Sequence, residues 1–129
     1  MILGLGIDLI NVDRIKALKK EFGDKFSDRL FTENENKIVE KFNDNPSRMN
    51  AYYAKRFAAK EAFSKALGTG IGRGINFKDI EILNDIQGKP YIKLYEKTSK
   101  FIEGIFKQKI DNVQIDLSIA DDHPLATAI

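Results

Sequence analysis

A chain of 129 residues, 43% of them hydrophobic, is long enough for one modest domain with a real core, and its formal net charge of +2 is too weak to argue for nucleic acid. No basic stripe is interleaved with aromatics for base stacking, no apolar run is long enough to cross a bilayer, and no basic leader precedes the first apolar segment. Cysteine is absent and His123 is the only histidine, which excludes disulfides and argues against a zinc centre.

The first predicted element is a strand over residues 1–10. Leu3, Leu5, Ile7 and Leu9 give it one greasy face, while Gly4, Gly6 and Asp8 leave the other nearly free of side chains. Glycines weaken a strand interior unless something must approach the backbone closely, so Asp8 is expected beside open space. An amphipathic helix follows from Val12 through Ile15 and Leu18 to Phe22, with Asn11 or Asp13 as its cap and Gly23 as its end. Thr32 and Glu35 form a capping box for a short helix carrying Ile38, Val39 and Phe42. A loop over 43–47 leads into a long helix that ends at Gly68. Ile80 and Ile82 alternate with acids, 84–90 turns the chain, and 91–94 returns, which predicts a hairpin. Residues 98–107 read as a helix with Phe101, Ile102, Ile105 and Phe106 on one side. Val113, Ile115, Leu117 and Ile119 alternate as a strand, and 125–129 pairs back across Asp121-Asp122-His123-Pro124. The fold class is α+β, a mostly antiparallel sheet packed with a long central helix, in a single domain over 1–129.

The long helix carries the chemistry. In Arg56-Phe57-Ala58-Ala59-Lys60-Glu61-Ala62-Phe63-Ser64-Lys65-Ala66-Leu67-Gly68, Phe57, Glu61 and Lys65 stand one turn apart in a column. Ala58, Ala62 and Ala66 form a neighbouring column small enough for close packing. A carboxylate near such an interface must meet a cation, a metal or a hydrogen-bond donor. Two readings stand: an ordinary helix ion pair between Glu61 and Lys65, or a site in which Asp8 and Glu61 are hard oxygen ligands from separate elements. Two carboxylates leave a divalent ion several waters and room for phosphate oxygens, which is how magnesium is usually held.

Gly4-Leu5-Gly6-Ile7-Asp8-Leu9, the 56–62 run and Lys65-Ala66-Leu67-Gly68 together resemble the holo-acyl-carrier-protein synthase family of 4'-phosphopantetheinyl transferases. The resemblance extends through Phe77-Lys78-Asp79-Ile80-Glu81-Ile82, Gly88-Lys89-Pro90-Tyr91 and Leu117-Ser118-Ile119, nearly the whole chain. It implies a 4'-phosphopantetheinyl transferase-like fold and transfer of phosphopantetheine from coenzyme A to a serine of acyl carrier protein, in support of fatty acid biosynthesis. It further implies magnesium on Asp8 and Glu61, Lys65 at the leaving phosphate, and Arg56 beside the nucleotide. Arg14, in a helix whose Arg14, Lys16, Lys19 and Lys20 look outward, would contact the carrier protein. A homotrimer with coenzyme A in clefts between subunits, and a cytoplasmic location, complete the expectation.

Gly68-Thr69-Gly70-Ile71-Gly72-Arg73-Gly74 is not a phosphate loop of the usual form, because it follows a helix and meets the negative end of its dipole. By the resemblance Gly68 and Gly70 line the coenzyme A cleft and allow close backbone approach. Asp116 and Asp121 occupy positions where many relatives carry histidine, and either a reinforced metal environment or a tight turn before Pro124 accounts for them. The competing hypothesis is a non-catalytic nucleotide- or carrier-protein-binding module. Retention of Asp8, Glu61 and Lys65 favours the enzyme.

Overall fold

A computed structural model describes Met1–Ile129. It is α+β and built around one helix, as the sequence predicts. Helix α1 (Val12–Phe22) starts where the Asn11 side chain accepts the Asp13 N–H at 2.9 Å, and it ends at Gly23, whose φ of +56° suits glycine. Helix α2 (Asp24–Leu30) has no counterpart in the sequence reading: at seven residues it offers too little periodicity to be read, and Gly23 serves as the end of one helix and the start of the next. The expected capping box opens α3 (Glu33–Val39), with Thr32 and Glu35 satisfying each other's backbone N–H groups.

Helix α4 (Pro46–Ala66) is the 21-residue spine of the molecule. Asn45 caps it through the Arg48 N–H, and proline stands at its first position, where no N–H is required. Ala54, Ala58, Ala59 and Ala62 are buried, so neighbours pack against backbone rather than against long side chains. Two antiparallel sheets complete the chain. In the first, β1 (Asp8–Asn11), β5 (Leu125–Ala128) and β4 (Ile119–Asp122) lie in the order β1-β5-β4, with Asp8 opposite Ala128 and Ile119 opposite the same alanine. The second is the predicted hairpin of β2 (Glu81–Asn84) and β3 (Pro90–Lys93). Helix α5 (Glu96–Phe106) follows it and buries Thr98 and Ile102.

Two strand expectations are corrected. The first strand pairs only from Asp8 and the run from Val113 pairs only from Ser118, each against β5. The greasy face is outward: Leu5, Ile7 and Leu9 are 70%, 60% and 63% exposed, and the exposed Leu125 and Ile129 extend that face onto β5. It is Gly4 and Gly6 that meet the core. A Cβ on Gly4 would stand 2.0 Å from the Ala66 carbonyl oxygen, and one on Gly6 would stand 1.8 Å from that of Ala62. Two residues of this segment thus cover one turn of α4, which requires an extended backbone laid directly on the helix. The glycines therefore admit the helix itself.

Beneath the sheet edge, Lys60 is fully buried, and its ammonium has three partners: Glu35 at 2.6 Å and the carbonyls of Leu30 and Phe77 at 3.0 and 2.9 Å. An ammonium has three protons, so none is orphaned. Glu35 in turn accepts the N–H groups of Thr32 and Ile82. Burial pulls the Lys60 ammonium below its ordinary range, and the Glu35 carboxylate opposes that shift. This knot ties α3, α4 and β2 together and sets the rotation of α4 next to Glu61.

Candidate active site

Asp8 opens β1, and the glycine contacts two and four residues before it hold that end of the chain against the last turns of α4. Lys65 lies in the final turn, where a cation also suits the helix dipole. Its ammonium donates to Asp8 Oδ1 at 2.8 Å and to the Ile7 carbonyl at 3.0 Å. Lys65 thus pairs across elements with Asp8, and the Glu61–Lys65 pair within the helix, one of the two readings of the sequence, does not form.

Glu61, one turn earlier, faces the same place. Burial chiefly holds its carboxyl above the usual carboxylate range, and the Asp8 negative charge pushes it in the same direction, while Lys65 and Arg14 oppose. Four of the predicted residues are therefore brought together: Asp8 from β1, Glu61 and Lys65 from α4, and Arg14 from the first turn of α1. Two carboxylates repel across this site, and no group of three or more Asp, Glu, His or Cys side chains is arranged to hold a metal. Such a donor set fits a hard divalent cation that keeps its waters and takes phosphate oxygens, not a cation caged by protein alone.

The other predicted residues stand apart. Arg56 lies five residues before Glu61, on another side of the helix. It is buried, with its guanidinium 4.0 Å above the Tyr52 ring and hydrogen-bonded to the Asn84 side chain, and its Nε has no partner. Burial pushes the Tyr52 hydroxyl up to about 12, so the ring under Arg56 stays neutral. Gly68 and Gly70, with φ of +77° and +68°, leave α4 in a loop with open space where their side chains would be. Gly70 donates back to the Ser64 carbonyl at 3.2 Å, as a helix-ending turn does.

Asp116 and Asp121 do not join the carboxylate pair. Asp121 lies within β4 and pairs with Lys55 at 3.0 Å, and Asp116 is exposed and accepts from Gln114 at 2.8 Å. Neither of the two expected roles applies: these residues are not at the metal position, and Asp121 is strand rather than turn. The residues that sequence reasoning missed are the supports, namely Lys60, Glu35, Tyr52 and Asn84. One signal was available for Lys60, which falls in a column with Tyr53, Phe57 and Ser64 on the buried side of the helix, where a lysine demands an acid.

Comparison with known proteins gives a consistent result. Residues 4–128 match the family model of the 4'-phosphopantetheinyl transferase superfamily. A holo-[acyl-carrier-protein] synthase of Wolbachia pipientis is 44% identical over 128 residues, covering 99% of this chain and 94% of its own, and one from Bartonella quintana is 43% identical over 99% and 92%. Among solved structures, the holo-[acyl-carrier-protein] synthase of Neisseria meningitidis superposes with a TM-score of 0.84 at 37% identity, covering 99% and 95% of the two chains. That of Bacillus anthracis, in complex with CoA (3',5'-ADP), superposes with a TM-score of 0.79 at 38% identity over 99% and 93%.

Proposed function

This chain belongs to the 4'-phosphopantetheinyl transferase superfamily, and from that premise we propose that it transfers the 4'-phosphopantetheine arm of coenzyme A to a serine of apo-acyl carrier protein, releasing adenosine 3',5'-bisphosphate. The observation that carries the reading is the meeting of Asp8, Glu61 and Lys65 at the junction of β1 and α4. The serine hydroxyl gives up its proton to solvent or to the departing phosphate as its oxygen bonds to the phosphorus that bears the pantetheine arm, and the bond from that phosphorus to the bridging oxygen of the pyrophosphate breaks. The electron pair stays on the departing nucleotide phosphate. Lys65, which already holds the Asp8 carboxylate, would meet that developing charge.

Asp8 and Glu61 would hold magnesium, whose chemistry here is to neutralise the pyrophosphate as negative charge builds on the leaving side. Two clustered carboxylates would otherwise repel the substrate. Arg14 is the proposed contact for the acidic carrier protein, and Arg56, Gly68 and Gly70 are proposed for the nucleotide end of coenzyme A. Their separation from Asp8 within one subunit favours a shared cleft. A homotrimer would cover the exposed Leu5, Ile7 and Leu9 face, an apolar patch of the kind that marks an interface. Light scattering over a dilution series tests the assembly. The single domain over 1–129, the cytoplasmic location and the role in fatty acid biosynthesis belong to the same proposal.

Incubation with coenzyme A, magnesium and apo-acyl carrier protein, followed by weighing the carrier, separates the transferase from a non-catalytic binding module. The transferase adds one phosphopantetheine to the carrier, and the binding module leaves its mass unchanged.

A further inference from the structure

Asp8 and Glu61 offer their oxygens unequally. The Lys65 ammonium donates to Asp8 Oδ1 at 2.8 Å, so Oδ2 is the open oxygen of that carboxylate. Both oxygens of Glu61 are open: outside the helix ladder its one hydrogen bond is at its backbone carbonyl, which accepts from the Ser64 hydroxyl at 2.8 Å. Lys65 is thus a third party to the carboxylate pair and takes one of its oxygens for itself.

That ammonium is held in place from two sides. It also donates to the Ile7 carbonyl at 3.0 Å, and both of its acceptors belong to backbone that is itself fixed. Gly6, just before them, lies on the Ala62 carbonyl, while the Asp8 carbonyl accepts the Thr127 hydroxyl at 2.8 Å and Asp8 pairs with Ala128 in the sheet. The Asp8 carboxylate is 15% exposed, so little water reaches it to compete with the ammonium. Two of the three ammonium protons are engaged in this way, and one remains for the departing phosphate proposed above.

The two common hard cations use carboxylates differently. Magnesium demands octahedral geometry and gives up water reluctantly, so single oxygens from two carboxylates, with waters and phosphate oxygens, satisfy it. Calcium is larger, gathers more oxygens, and readily takes both oxygens of one carboxylate. An ammonium on Oδ1 leaves the first mode intact and denies Asp8 the second. Charge alone makes no such distinction, because the two ions are equally charged and Lys65 repels both. Resting on the magnesium reading of Asp8 and Glu61, we propose that Lys65 determines the metal specificity of the site: by occupying Asp8 Oδ1 it confines Asp8 to coordination through one oxygen and discriminates against calcium in favour of magnesium.

The test is titration of the parent protein and of Lys65→Met with magnesium chloride and with calcium chloride, read by NMR at the carboxyl carbons of Asp8 and Glu61 at constant ionic strength. Methionine keeps the length of the side chain and removes both its charge and its donor. Loss of the charge strengthens both cations, and release of Oδ1 strengthens calcium further, so the ratio of calcium to magnesium affinity should rise about tenfold. Equal strengthening of the two would make Lys65 a bare charge and overturns the proposal. A ratio that moves toward magnesium, or affinities that do not change, overturns it as well. A crystal structure of the parent with calcium gives a second measurement that does not depend on how Lys65→Met folds. Asp8 bound to calcium through one oxygen, with Lys65 on the other, is the expected result, and both Asp8 oxygens on calcium overturns the specificity role. Failure of that role alone leaves the magnesium shifts of the parent at Asp8 and Glu61 in place. If magnesium shifts neither carboxyl carbon, the magnesium reading itself fails and takes the specificity role with it.

Discussion

Gly6 lies on the carbonyl of Ala62 so closely that a Cβ at residue 6 would come within 1.8 Å of that oxygen. This contact sets the height of β1 above α4 and with it the approach of Asp8 to Lys65. Gly6→Ala is therefore expected to cost about 3 kcal/mol or more, at the upper end of overpacking because backbone rather than a flexible side chain must yield. Urea denaturation measures the loss. A midpoint unchanged from the parent protein would mean that the strand is free to lift off the helix.

Asp8→Ala and Glu61→Ala are each expected to lower transfer at least about 100-fold while the protein stays folded, since both carboxylates serve the site rather than the core. Rate against magnesium concentration, with circular dichroism as the control for folding, checks this. Near-normal transfer in either variant removes that residue from the metal assignment.

The Glu61 carboxyl is raised in the folded protein, first by burial and then by Asp8. A raised carboxyl favours folding while protonated and works against it once ionised, so the cost is present at neutral pH and disappears as pH falls through the folded and then the unfolded titration range. Glu61→Gln should melt higher than the parent at pH 7 without magnesium, and the two curves should converge in acid. Magnesium should raise the melting temperature of the parent and leave Glu61→Gln little changed.

Lys60→Met removes the only cation from Glu35 inside the protein. Breaking a buried pair from one side typically costs about 3–5 kcal/mol, because the remaining charge is uncompensated. Glu35 retains two backbone N–H donors, which favours the lower end of that range. Because the same ammonium sets the rotation of α4, activity should fall together with stability and recover in part at low temperature.

Arg14→Glu is expected to raise KM for the carrier protein by roughly tenfold and to change KM for coenzyme A little, since a guanidinium grips carboxylates in bidentate fashion. Parent affinity for the carrier should fall with salt as exposed pairs are screened. Equal effects on both substrates would move the docking surface elsewhere.

Much of this molecule is legible in local chemistry. The cap at Asn11, the stop at Gly23, the Thr32–Glu35 box and the hairpin over 81–93 are all decided within a few residues, by backbone groups that need nearby partners, whereas α4 begins at Pro46, inside the loop expected over 43–47. The column of Phe57, Glu61 and Lys65 follows from helical period alone, and so does the pairing of Glu61 with a small-residue face. The second short helix escaped because seven residues carry barely two turns of pattern.

What lies opposite a side chain is decided by topology. Sequence alone shows that residues 3–9 alternate and that Gly4, Gly6 and Asp8 share a face, but not what either face meets. The fold exposes Leu5, Ile7 and Leu9 and lays the glycines against α4, because a strand without side chains on one face can lie directly on helix backbone. Lys65 likewise has an acid one turn behind it and binds a different one from β1, and Lys60 finds Glu35 across 25 residues of chain. Periodicity determines which residues share a face. Only the tertiary structure decides what that face meets, since the meeting depends on contacts between segments that are far apart in the chain and carry no local signal of each other.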